Sequence, residues 1–139
     1  MKRPTQHGFE AFPENDMLKK YIQRVKPMAG YFDVAMHGQP DGVCFGTDQP
    51  SMTARELARV IQHDPAYDGG PIRLLCCNVG KPGLNGEYCF AEELANALGV
   101  EIYAPEDKLY INPDGSFFIG ISQKKRFISF YPNQRRRIG

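Results

Sequence analysis

The chain has 139 residues, 42% hydrophobic and 12% aromatic, with 17 Lys or Arg against 16 Asp or Glu. That is the size and composition of one ordinary folded domain and excludes wholesale disorder. No apolar run approaches the roughly 20 residues of a membrane span, no signal peptide is expected from the polar start Met1-Lys2-Arg3-Pro4, and a net charge of +1 lacks the broadly basic footprint of a general nucleic-acid binder.

Residues 1–13 are polar and broken by Pro and Gly, which predicts an N-terminal arm. Pro13-Glu14-Asn15-Asp16 is a helix-start signal, and Leu18, Tyr21, Ile22 and Val25 recur at helical spacing, predicting a short helix over 14–26 that Pro27 ends. Tyr31 to Met36 reads as a strand stopping at His37-Gly38, followed by a turn-rich loop. Thr53-Ala54-Arg55-Glu56 is a capping box opening a helix over 53–63. Ile72 to Leu75 is a short buried strand ending at Cys76-Cys77-Asn78. Phe90, Ala91, Leu94, Ala95 and Leu98 mark a helix stopped by Gly99, and residues 100–104 are the next strand. Pro113-Asp114-Gly115 joins a hairpin over 108–120, and residues 126–131 are a last strand. Strands and helices thus alternate over 31–104, which predicts an α/β fold with a mostly parallel central sheet and an antiparallel C-terminal edge. One domain is expected over 14–132, with a basic tail at 133–139.

Cys44, Cys76, Cys77 and Cys89 do not read as a disulfide scaffold, and no CxxC, HExxH or Cys/His zinc spacing occurs, so no metal site is expected and the thiols should work reduced. In an open parallel sheet, ligands and catalysts gather at the carboxyl ends of the strands. His37 ends one predicted strand and Cys77 the next, each followed by a glycine-rich loop. An imidazole beside a thiol takes its proton, leaving a thiolate that attacks a carbonyl. The backbone N–H groups of Gly38 and Cys77 are the candidate oxyanion donors, and Asn78 begins the loop break. Along a strand side chains alternate, so Cys77 is favoured for the crevice and Cys76 for the interior. A His at a strand end is otherwise a polar surface residue and a strand Cys is core filler; packing is the simpler expectation for Cys44 and Cys89, and surface placement for His7 and His63. No acid partner for His37 is assignable, since Asp33 sits about 13 Å away along its strand at ~3.3 Å per residue.

The strand Phe32-Asp33-Val34-Ala35-Met36 running into His37-Gly38, followed by Ile72-Arg73-Leu74-Leu75-Cys76-Cys77-Asn78, resembles the His-Gly and Cys strands of caspase-like cysteine peptidases. More closely, the chain resembles the autoprocessing cysteine peptidase domains of large bacterial toxins over roughly 31–132, and residues 90–100 look like C-terminal modules of polymorphic toxins. The resemblance implies a caspase-like three-layer sandwich, Cys77 as nucleophile and His37 as base, and an acyl-enzyme mechanism on a protein substrate or on the parent toxin polypeptide. It also implies secretion within a larger toxin, delivery to a target-cell cytoplasm and an immunity protein as partner. Inositol hexakisphosphate would be the activator, with Lys124, Lys125 and Arg126 where a basic flap would lie. Two features depart from the family: the chain is shorter, and Cys76 replaces the usual small residue before the nucleophile.

Two other readings remain. The first is a non-catalytic binding module in which Lys124, Lys125, Arg126, Arg135, Arg136 and Arg137 dock an acidic or phosphorylated partner. The second is a nuclease using His37 or His63, which near-neutral charge and the lack of clustered carboxylates disfavour.

Overall fold

The computed structural model describes residues 2–39, 42–44, 51–81, 88–122 and 124–132. The central sheet has six strands in the order β1 (Arg3–Thr5), β2 (Gly8–Glu10), β3 (Phe32–Ala35), β6 (Ile72–Leu75), β7 (Ile102–Pro105) and β10 (Phe127–Phe130). β2, β3, β6 and β7 run parallel, while β1 and β10 close the two edges antiparallel. The fold is therefore mixed α/β with a largely parallel sheet, fed by crossovers through α2 (Ala54–Gln62) and α3 (Phe90–Leu98).

Local sequence explains the helices. Thr53 Oγ1 accepts the Glu56 N–H at 3.2 Å while Glu56 Oε1 accepts the Thr53 N–H at 3.0 Å, so both orphan donors are satisfied where α2 begins. Its Leu57 and Ile61 are fully buried. α3 ends at Gly99, whose φ of 71° is the left-handed conformation that glycine adopts without strain. Both helices pack on one sheet face, over Val34, Leu74 and Ile102. The other face carries a smaller core of Phe12, Ile22, Val25, Ala35, Leu75, Leu109 and Ile119. It is covered by the single turn α1 (Leu18–Tyr21), the 3₁₀ turn Ile22–Arg24, and the hairpin of β8 (Leu109–Ile111) and β9 (Phe117–Ile119).

Three expectations are corrected. The predicted arm over 1–13 is instead a hairpin built into the sheet: β2 pairs in parallel with β3, and Phe9, Ala11 and Phe12 are buried. Burying each of those phenylalanines contributes up to about 3 kcal/mol, which outweighs the polar look of the segment. The helix expected over 14–26 shrinks to Leu18–Tyr21 and the 3₁₀ turn, because Asp16 N–H bonds Pro13 O in a turn and Val25 is already extended. The strand expected to reach Met36 stops at Ala35, and His37–Gln39 forms β4, paired antiparallel with β5 (Gly42–Cys44). The basic tail over 133–139, with Arg135, Arg136 and Arg137, lies outside the described residues.

Candidate functional site

β2, β3, β6 and β7 are consecutive in the sheet and end at Glu10, Ala35, Leu75 and Pro105. Two residues beyond each end stand Phe12, His37, Cys77 and Asp107. Parallel pairing in register, Ala35 with Leu75, is what brings the imidazole strand and the thiol strand to one rim.

His37 is held on two sides by the N-terminal segment. Its Nε2 lies 2.6 Å from Asp16 Oδ2. A carboxylate only accepts, so this contact keeps the proton on Nε2 and leaves the lone pair on Nδ1. The other Asp16 oxygen, Oδ1, accepts the Leu18 N–H at 2.9 Å and fixes the carboxylate at the start of α1. Phe12 meets the imidazole edge to face, with ring centroids 5.1 Å apart. The His37 side chain keeps 40% of its surface exposed, enough to meet a substrate.

Cys77 is half-buried and Cys76 fully buried. Burial pushes the Cys76 thiol far above its usual range. The Cys77 sulfur accepts the Leu109 N–H at 3.4 Å and donates to Leu109 O at 3.6 Å. Among the described residues no hydrogen bond joins it to His37. The two segments nevertheless touch. A Cβ on Gly38 would fall 2.5 Å from Cys77 O, 3.0 Å from Cys77 N and 3.0 Å from Cys76 Cβ, so only glycine allows this approach. Asn78 turns the chain with φ 62°, a left-handed conformation asparagine tolerates, and its N–H donates to Asp107 O at 3.1 Å. That amide is engaged, which leaves Gly38 and Cys77 as the backbone donors facing the crevice.

Other sequence candidates fall elsewhere. Cys89 is buried at the start of α3, and burial pushes its thiol up to about 11. For Cys44 only the backbone, at the end of β5, is described. His63 closes α2 through Nδ1 and Arg59 O. Asp33 is committed to Arg73: Nε and Nη2 donate to its two oxygens, each at 2.7 Å, on paired positions of β3 and β6. Lys124, Lys125 and Arg126 are exposed and lead into β10, beside the end of β7. No cluster of three or more His, Cys, Asp or Glu placed for a metal occurs among the described residues. No helix among them is long and apolar enough to cross a membrane.

Asp16 and Phe12 are the site residues that sequence reasoning missed. Asp16 carries a helix-start signal that hides its second role. The alternation Gly8-Phe9-Glu10-Ala11-Phe12 was the available strand signal for the segment that delivers Phe12.

No curated protein and no solved structure matches the chain. A family model does, over residues 8–119, a span that includes Phe12, Asp16, His37, Cys77 and Asp107 and runs from β2 to the end of β9. The chain thus belongs to the family described as Domain of unknown function (DUF8616).

Proposed function

We propose that this domain is a caspase-like cysteine peptidase of a bacterial toxin or effector, with Cys77 as nucleophile and His37 as base. The observation that carries the reading is the placement of His37 and Cys77 two residues past the ends of adjacent parallel strands, with Asp16 on the far nitrogen of the imidazole. His37 Nδ1 takes the thiol proton, and the thiolate attacks the scissile carbonyl. The N–H groups of Gly38 and Cys77 stabilise the oxyanion. The imidazolium then returns its proton to the leaving amine, and water hydrolyses the thioester. Asp16 is a positioning residue that holds the ring through this cycle.

Two measurements test the reading together. Purified chain is treated with peptidyl acyloxymethyl ketones, which alkylate an activated cysteine, and the protein is expressed in a bacterial cytoplasm while growth is followed. The expected result is labelling at Cys77 and growth arrest in wild type, both lost in folded Cys77→Ala and His37→Ala. Labelling or arrest that survives in either folded variant overturns the dyad.

A further inference from the structure

The Cys77 side of the rim is bordered by cations. Asn78 N–H bonds Asp107 O, and Cys77 bonds Leu109, so the segment around Lys108 is tied directly to the nucleophile loop. β10 pairs antiparallel with β7, Phe127 opposite Pro105, which brings the residues preceding β10 to the same end of the sheet as Cys77. Their backbone is pinned there: Glu106 N–H donates to Arg126 O at 3.1 Å, and Arg126 N–H to Glu106 Oε1 at 3.2 Å. Gly120 links the two segments, since its N–H bonds Lys108 O at 2.8 Å and a Cβ built on it would meet Lys125 Cγ at 3.0 Å.

Lys108, Lys124, Lys125 and Arg126 are all exposed, and among the described residues none of their side chains enters an ion pair. Lys2, Arg3, Lys19 and Arg73, by contrast, each sit on a carboxylate. The local carboxylates, Glu106 and Asp107, already accept the Arg126 and Lys108 N–H groups. A cavity of about 350 Å³ opens among Asp107, Lys108, Tyr110, Gly120, Ile121 and Ser122, large enough for a side chain. Its apolar wall includes Ile121, which is 87% exposed.

We infer that this cationic border selects acidic polypeptide segments, so that substrates carry Asp or Glu beside the bond presented to Cys77. The inference rests on the peptidase reading and names its substrate class. Uncompensated charge beside a cleft raises the local concentration of an oppositely charged chain and speeds its encounter. Such contacts act through solvent and are strongly screened by salt.

The test uses the full chain and a library of short random-sequence peptides, with cleavage sites read by mass spectrometry. Sites cut in a Cys77-dependent manner should be enriched at least fivefold in Asp or Glu on one side of the scissile bond. The enrichment should collapse at about 0.5 M salt, where screening shortens the range of charge to a few ångströms. It should fall toward one in the folded variant K108Q/K124Q/K125Q/R126Q and reverse toward Lys and Arg in the corresponding Glu variant. Cys77-dependent cleavage with no acidic preference overturns the inference and leaves the peptidase standing. Absence of any Cys77-dependent cleavage, with no labelling of Cys77 by the ketone probes, overturns both.

Discussion

Asp16 grips His37 with one carboxylate oxygen and the start of α1 with the other, 2.6 Å to Nε2 and 2.9 Å to the Leu18 N–H. Orientation of the base and formation of the first helical turn are thereby one event. Asn at position 16 preserves an acceptor for Leu18 but loses the carboxylate that selects the imidazole tautomer. Asp16→Asn is expected to retain stability within about 0.5 kcal/mol while slowing Cys77 alkylation by the ketone probes roughly 10²-fold or more. Asp16→Ala should in addition lose about 1 kcal/mol, because the turn then lacks its acceptor. Urea denaturation beside labelling rates separates the two effects, and an Asn variant that labels at the wild-type rate would remove Asp16 from the mechanism.

Thiol chemistry should sort the cysteines by burial. Cys77 is half-buried, whereas Cys76 and Cys89 are enclosed and desolvation raises both. With Cys89 near 11, its thiolate fraction at pH 8 is about one in a thousand. Iodoacetamide on native protein should therefore modify Cys77 at least tenfold faster than Cys76 or Cys89, and the difference should vanish in urea. Peptide mapping after timed quenching reads this directly; equal rates in the native protein would mean that the Cys77 surface is closed.

Gly38 is where the His and Cys segments touch, and a methyl group there meets the Cys77 backbone at 2.5 Å. Backbone must move to admit it. Gly38→Ala should cost about 1–3 kcal/mol by denaturant unfolding, as overpacking of a tight interior does, and should abolish labelling of Cys77 by the ketone probes. A stable, fully reactive Ala variant would show that the close approach is dispensable.

The buried Asp33–Arg73 pair gives the stability a defined pH dependence. Burial raises the Asp33 carboxyl above its ordinary 3.8 by more than the Arg73 guanidinium lowers it. The folded state therefore holds this proton more tightly than the unfolded chain. The stabilising contribution is whole below about 3.8 and is lost as the pH climbs through the raised value. The gap between wild type and Asp33→Asn should accordingly move against wild type on going from pH 3.5 upward, about the ordinary carboxylate range. Arg73→Met, which strands the carboxyl, should cost about 3–5 kcal/mol at pH 7. Urea titrations across the pH series check both; a constant gap would mean that Arg73 cancels the effect of burial.

The parts of the fold that were legible in the sequence are those whose signals are local. The Thr53–Glu56 box, the Gly99 stop and the Pro113–Gly115 turn each act within a few residues, and His37 and Cys77 could be placed because the strands before them are short apolar runs. The rest depends on partners far along the chain. β2 is a strand because it lies against β3, with Phe9 opposite Val34, and the three residues alone carry no comparable signal. Asp16 reaches His37 across 21 residues, through a turn that local spacing reads as continuous helix. β4 and β5 are three-residue strands paired only with each other and an isolated bridge from Val43 to Met52, too short for periodicity to register.

The two antiparallel edges give the domain a polarity for anything joined to it. β1 begins opposite Glu10, at the end of the sheet that carries His37 and Cys77, whereas β10 finishes opposite Ile102, at the other end. Polypeptide attached ahead of Arg3 would enter beside the crevice, three strand spacings, about 14 Å, from the Cys77 strand, a gap that four or five extended residues bridge at ~3.3 Å each. Polypeptide attached after β10 would depart from the far end and would have to double back along the sheet to come near the thiol. A fusion partner or affinity tag is thus not neutral in placement here: in front it crowds the reactive rim, and behind it leaves that rim open.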